Sequence, residues 1–416
     1  MVNTILSTFD VGLGKSSWSK YLWYATHTFG LRYSSIDDLN SWRSLYSKLE
    51  RLGVKVETYK PSNRDLEEDI QLLEERIQES DIIVHGNKLL RGNVLSNELI
   101  SMMKQFPFVR RSPFMSEDLA SRVDRLVHGK YLHKAHISLS EDYDLDKLKI
   151  ARIMQKAGIS IPETMKVEEY LATRDCPGVL KPRGLYQGNL VLCLDRKEIE
   201  RFFDEATWQG ELRVENTPQP GQYFVQEFIE TPSDRFTSYR VITIGDVIVG
   251  CVVTVSGQTK SVIMSEVKAK DLYQKLARMF NTYPIVSNVA AGGIQIPISH
   301  DSRKLEDWEK QVLRYHNIDP DTLGIPEPLK NFATSAGRVA AKHGLLISGQ
   351  DWLQDRGGNF YFAECNEYPH LGPKIFDTLF LGGKGTNKQI QQVGEHQIAK
   401  GLRSYTLPIN SSMSSL

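Results

Sequence analysis

Long apolar runs are missing from this chain. No hydrophobic stretch approaches the roughly 18 residues that a membrane-spanning helix needs. The opening MVNTILSTFDVG lacks the basic and then apolar regions of a secretory leader, so no membrane partner is predicted. Cysteine is scarce. The four residues, at 176, 193, 251 and 365, show no Cys-x-x-Cys spacing, and three lie in apolar, strand-like runs. That usage argues against a disulfide framework and predicts reduced thiols in a cytoplasmic protein. Net charge is missing too. Lys plus Arg and Asp plus Glu each total 51, so no overall field calls for nucleic acid or an anionic surface. There is no internal repeat and no low-complexity tract.

What is present suffices for two or three domains, since 416 residues can bury sizeable cores. Residues 1–110 alternate apolar runs (Thr4 to Phe9, Val54 to Thr58, Ile82 to Val84) with helical stretches such as Asp65 to Gln78 and Leu95 to Lys104. Such alternation predicts a small doubly wound α/β domain with a mostly parallel sheet. Residues 111–145 read as a connector, 146–230 as a small α+β lobe, 231–405 as a larger lobe and 406–416 as a serine-rich tail. Two tempting features are declined. Gly12-Leu13-Gly14-Lys15-Ser16-Ser17 has one residue between its glycines where a P-loop needs four. The acidic run Asp65 to Glu79 reads as a solvated helix face.

The most informative stretch is Gly344 to Gly372, GLLISGQDWLQDRGGNFYFAECNEYPHLG. It reads as two strands around a tight turn. Alternation points Glu364 and Asn366 one way and Cys365 the other. A two-residue loop at Gly357-Gly358 would place Asp351 directly opposite Glu364. Opposed carboxylates repel, and a divalent cation with hard oxygen ligands removes the repulsion. A solvent-facing hairpin with scattered acids is the alternative.

Upstream, residues 178–194 show an apolar run ending in Lys181, a loop with Gly184 and Gly188, then a second strand. An ammonium beside glycines suits an anion such as phosphate, although any hairpin can carry these residues. The segment QYFVQEFIE (222–230) is a strand ending in Gln226-Glu227-Phe228-Ile229, and 238–254 gives two apolar strands around Gly245-Asp246, with Arg240 on the first.

From about Asp146 to Pro373 this series resembles the ATP-grasp superfamily of carboxylate–amine ligases. The likeness is to the branch containing the ribosomal-protein glutamate ligases and related peptide-modifying ligases. Its Asp-Lys opening a helix, followed by Gly-Ile, Pro and Thr, is matched by Asp146-Lys147, Gly158-Ile159, Pro162 and Thr164. Its Lys with a later Gln-Gly is matched by Lys181, Gln187 and Gly188, and its adenine hinge by Gln226 to Ile229. Its strand Arg is matched by Arg240, its Ser-Asn and Gly-Gly by Ser287-Asn288 and Gly292-Gly293, and its metal hairpin by Asp351, Glu364 and Asn366.

The resemblance implies an ATP-grasp fold behind an N-terminal doubly wound pre-ATP-grasp domain. It implies ATP and magnesium, or manganese, as cofactors, with small-molecule or peptide carboxylates and amines as substrates and a homo-oligomer as one possible assembly. Metal ligation falls to Asp351, Glu364 and Asn366. ATP binding falls to Lys147, Lys181, Gly184, Gln187, Gly188, Gln226, Glu227, Phe228, Ile229 and Asp234, and catalysis to Arg240 and Asn288. The implied reaction forms an acyl phosphate and ADP, after which an amine displaces phosphate. Closure of an amide or ester within one peptide, and a non-catalytic nucleotide-binding role, are the alternatives. The chain departs from the family at Leu190, where a further Gly is common, and at Val286, where Arg is common. Residues 261–285 read as an insertion, and its helical stretch with Lys268 and Lys270 is a candidate cover for the acceptor side.

Overall fold

The computed structural model describes residues 2–7, 45–59, 65–85, 94–95, 97, 115–127, 135–138, 146–183, 191–211, 218–256, 280, 294–299, 305–343, 345–366 and 387–405. It is a mixed α/β structure built on three larger sheets and a two-stranded one.

The first larger sheet is parallel, with strand order β2-β1-β3-β6, where β1 is Thr4–Ser7, β2 Lys55–Thr58, β3 Ile82–His85 and β6 Ala135–Ser138. Ile5, Leu6, Ile82 and Ile83 are wholly buried, as expected of parallel strands covered on both faces. Helix α1 (Leu66–Glu79) is capped by the Asp65 carboxylate on the Glu67 and Glu68 N–H groups, and helix α2 (Glu117–Arg125) by the Ser116 side chain. The stretch 111–145 therefore supplies a helix and the edge strand β6, and with β5 (Met115–Ser116) it completes a short pair with β4 (Val94–Leu95).

The second sheet is antiparallel, in the order β7-β10-β8-β9, with β7 Thr164–Lys166, β8 Gly178–Pro182, β9 Leu192–Leu194 and β10 Tyr223–Glu227. One face packs Leu180, Leu192, Leu194, Tyr223 and Val225 against helices α4 (Val167–Thr173) and α5 (Arg196–Phe202). Phe202 meets the rings of Trp208 and Tyr223 edge-on, each at 5.3 Å. Alternation puts Thr164, Val179, Lys181, Phe224 and Gln226 on the other face.

The third sheet, also antiparallel, runs β13-β12-β11-β14-β15: β11 Thr237–Ile244, β12 Val247–Val255, β13 Ile294–Pro297, β14 Ile347–Gln354 and β15 Phe360–Asn366. Its inner face (Tyr239, Val241, Val253, Ile296, Trp352, Phe362) packs on helices α6 (Asp307–Tyr315) and α7 (Glu327–Lys342). Helix α7 presents Ala333, Ala336, Gly337 and Ala340, small enough for close approach. A Cβ on Gly337 would lie 2.1 Å from the Gly245 carbonyl oxygen, so only glycine fits there. Helix α3 (Lys147–Lys156) joins this same core through Ile150 and Met154.

A fourth cluster spans distant sequence. Val2, Ile5, Ile82 and Val84 share one core with Ile244, Leu346 and Ile347 and with Ile398, Ala399, Leu402 and Tyr405 around helix α8 (Asn387–Ser404). The Val2 N–H donates to the Arg403 carbonyl at 3.3 Å.

Candidate functional site: a charged junction between two sheets

The β14–β15 hairpin places Asp351 opposite Glu364, as its sequence predicts, but by another route. The turn is not the two-residue loop at Gly357-Gly358. Asp355 and Asn359 close it around Arg356-Gly357-Gly358, with Gly358 at φ 85°. That geometry pairs Trp352 with Phe362. Continued regularly, it would set Ala363 opposite Asp351 and turn Glu364 toward the core. A bulge next to Asp351 absorbs the extra residue and restores the Asp351–Glu364 pair. The parity of the sequence requires it. Phe360 and Phe362 are buried in the α7 core, and Glu364, at the same parity, must face away from it. That parity clash was visible in FYFAECN and was the signal for the bulge.

The third strand adds Arg240, paired with Asp351 in register, so Arg240, Asp351 and Glu364 form one row across β11, β14 and β15. The guanidinium donates from Nε and Nη2 to the two Asp351 oxygens at 2.7 and 2.6 Å, a two-point contact. The Asp351 charge, with burial opposing it, pushes the Arg240 pKa further up. Glu364 is met by Lys147, whose Nζ lies 3.2 Å from Oε2. The repulsion that argued for a cation is thus already offset by two basic side chains. Both carboxylates remain about one-fifth exposed, at 19% and 21%. Among the described residues no group of three or more His, Cys, Asp and Glu side chains gathers.

Lys147 stands at the start of α3, and its placement follows from the helix cap. Asp146 accepts from the Leu148 and Lys149 N–H groups and is bridged by Arg183, while the Lys147 N–H donates to the Arg183 carbonyl at 3.1 Å. Burial alone would raise the Asp146 pKa; the guanidinium and the backbone donors outweigh it and hold it below the usual range. Arg183 therefore ties the helix carrying Lys147 to the strand carrying Lys181. Sequence reasoning missed Arg183, although it lies two residues from Lys181 and so at the same strand parity. Because α3 packs with the larger sheet, Lys147 approaches from that side rather than from the small lobe.

Lys181 comes from the facing sheet. Its Nζ donates to Gln226 Oε1 at 2.6 Å. Burial pulls its pKa down to about 8, with Glu364, Lys147 and Asp351 close enough for their charges to act on it. The junction therefore gathers the cations Lys147, Lys181 and Arg240 with the carboxylates Asp351 and Glu364. Glu227 closes β10, and its N–H donates to the Glu163 carbonyl at 2.8 Å. Phe228 and Ile229 follow, and the Ile229 N–H carries no hydrogen bond to any described residue. Asp234 is exposed in the next turn, 3.4 Å from Ser233 Oγ. Asn366 pairs with Gly349 through the backbone, and its side chain lies outside the described residues. Gly184, Gln187, Gly188, Ser287, Asn288, Gly292, Gly293, Lys268 and Lys270 also lie outside them.

No protein-family model and no curated protein matches the chain. Solved structures do. The ATP-grasp ligase PsnB complexed with its minimal precursor is similar at 12% identity over 95% of this chain and 99% of that one, with a TM-score of 0.40. The macrocyclase MdnC of Microcystis aeruginosa MRC, bound to the precursor peptide MdnA, is 10% identical over 96% and 100%, with a TM-score of 0.42. A biotin carboxylase from Campylobacter jejuni is 14% identical over 98% and 72%, with a TM-score of 0.40.

Proposed function

We propose that the chain is an ATP-dependent ligase of the ATP-grasp kind, joining a carboxylate to an amine through an acyl phosphate and releasing ADP and phosphate. The observation that carries this reading is the junction: the Arg240–Asp351–Glu364 row with Lys147 on Glu364, and Lys181 opposite. Five charged groups from separate elements converge there in the order the family motifs imply. Phosphoryl transfer asks a protein mainly for positioning and charge neutralisation, and this set offers both.

Asp351 and Glu364 fit magnesium, a hard cation usually held by one or two carboxylates with substrate phosphates. Bound there, magnesium would neutralise phosphate oxygens. The chain's own side chains do the rest. Lys181 and Lys147 hold the phosphates; Lys147 can exchange Glu364 for phosphate when the carboxylate is engaged elsewhere. Arg240, fixed on two points, keeps Asp351 aimed and stabilises negative charge on the transferring group. The hinge from Gln226 to Ile229 reads adenine through its backbone, where the Ile229 N–H meets no acceptor among the described residues.

The test is a screen of amino acids and peptides with ATP, magnesium and hydroxylamine. A hydroxamate formed together with ADP supports the reading; AMP and pyrophosphate overturn it. Adding an amine in place of hydroxylamine then separates ligation from ring closure, because closure lowers the peptide mass by one water with no second molecule gained.

A further inference from the structure

We infer that Thr164 and Gln226 form a one-way hydrogen-bond relay that aims the Lys181 ammonium at the junction, which makes Thr164 a positioning residue for the nucleotide phosphates. The inference rests on the nucleotide reading above and gives a role to a motif residue that this reading leaves unused.

The register sets the relay up. Gln226 on β10 pairs directly with Thr164 on β7 and with Val179 on β8, so Lys181 is its diagonal neighbour on the same face. Three hydrogen bonds join the row. The Thr164 hydroxyl donates to the Pro162 carbonyl at 2.7 Å, Gln226 Nε2 donates to Thr164 Oγ1 at 2.9 Å, and Lys181 Nζ donates to Gln226 Oε1 at 2.6 Å.

The direction of each bond follows from chemistry. An ammonium only donates, so the Gln226 amide must turn its oxygen to Lys181 and its nitrogen to Thr164. The nitrogen needs an acceptor. The threonine oxygen can be one because its single proton is committed to Pro162. Remove that hydroxyl and Gln226 Nε2 is left buried without its acceptor, so only the ammonium still holds the amide oxygen in place and the aim of Lys181 loosens. Gln226 is 1% exposed, so water cannot readily take over the missing role.

A neutral partner also suits the task. Lys147 meets a carboxylate and is compensated, whereas Gln226 fixes Lys181 without cancelling its charge. The ammonium keeps two further N–H donors for an anion. Burial, which pulls its pKa down to about 8, sharpens its attraction to a phosphate by removing water.

The experiment measures the dissociation constants of magnesium–ADP and of adenosine for the full-length wild type, Thr164→Val, Thr164→Ser and Lys181→Met. The relay predicts that T164V and K181M each weaken ADP about tenfold relative to adenosine, the scale of one hydrogen bond to a charged group. T164S should return the ADP-to-adenosine ratio to within about twofold of wild type, since it restores the hydroxyl. Each ratio is taken on one preparation, so partial unfolding cancels. Gln226→Met, which removes the acceptor without touching β7, should reproduce the loss. If K181M changes the ratio while T164V and Q226M do not, the relay is overturned and the nucleotide reading stands. If the wild type binds neither ligand, or if K181M leaves the ratio unchanged, the role of Lys181 falls and the relay falls with it.

Discussion

The two antiparallel sheets bring charge to the same junction by opposite means. The small sheet holds a single cation with an amide, and Lys181 remains uncompensated by any direct carboxylate contact among the described residues. The large sheet holds two carboxylates, each against its own cation: Asp351 against Arg240 and Glu364 against Lys147. The large side is thus balanced by its own side chains, while the small side offers a cation that, under the proposed function, would meet an anion. Opposed acids on neighbouring strands therefore do not by themselves demand a metal. The third strand and a helix N-terminus can supply the counter-charge, and under the proposed function a divalent cation would enter by exchange.

The comparison breaks most severely if the large side loses the place of its acid. Inserting one alanine after Ala363 lets the strand run without its bulge and moves Glu364 from opposite Asp351 to opposite Gly349. We expect ATP turnover to vanish, because Asp351 loses its paired carboxylate and Lys147 its partner. Deleting Ala363 removes the bulge yet keeps Glu364 opposite Asp351, so it should be much the milder change. Equal effects from the two variants would dispose of the register argument.

Glu364→Gln keeps the shape of the side and removes its charge. Turnover should fall on the order of 100-fold to 1,000-fold, the range for removing one preorganised electrostatic group from an active site. The fold should survive, since Lys147 is 11% exposed and can reach water. Near-normal activity that still required magnesium would sink the metal assignment.

The small side can be probed by pH. Lys181 has a pKa of about 8, below its usual 10.5, so between those values the unfolded chain binds more protons than the folded one. Stability from this group should therefore rise as pH climbs through that window. Nucleotide affinity should move the other way. It is full below pH 8 and declines above it, by at most about tenfold per pH unit as the ammonium is lost. A Lys181→Arg variant should flatten the affinity profile; an unchanged slope would mean that another group titrates.

The smallest expected effect lies at the rim. Arg356 in the hairpin turn donates to Glu230 beyond β10 at 2.6 Å, but the two side chains are 69% and 54% exposed. Arg356→Ala should alter stability by about 0.5 kcal/mol and leave nucleotide binding alone. A large loss of binding would show that this contact, rather than the junction, registers the two sheets.

Much of the junction was legible in local pattern. The apolar runs located β8, β10, β11 and β12, and the opposition of Asp351 to Glu364 was reached although the turn assumed for it was one residue too short. What escaped was non-local. Lys147 and Glu364 are 217 residues apart, and no local periodicity reports that α3 packs with the large sheet rather than the small one. The edge strand β6 escaped for a similar reason: AHIS is short and weakly apolar, and becomes a strand only because β3 offers an open edge. The bulge was missed because turn length and strand parity were read separately, although only together do they fix which way Glu364 points.

The core shared by residues 2–7, 45–54 and 398–405 carries a consequence for the order of synthesis. A ribosome finishes the first parallel strands long before it makes the helix whose Ile398, Ala399 and Leu402 cover them. Until then Val2, Ile5, Ile82 and Val84 have only part of their apolar surroundings. The nascent N-terminal sheet must wait with an uncovered flank, exposed to chaperones and to stray strand edges, until helix α8 is made about 300 residues later in the same chain.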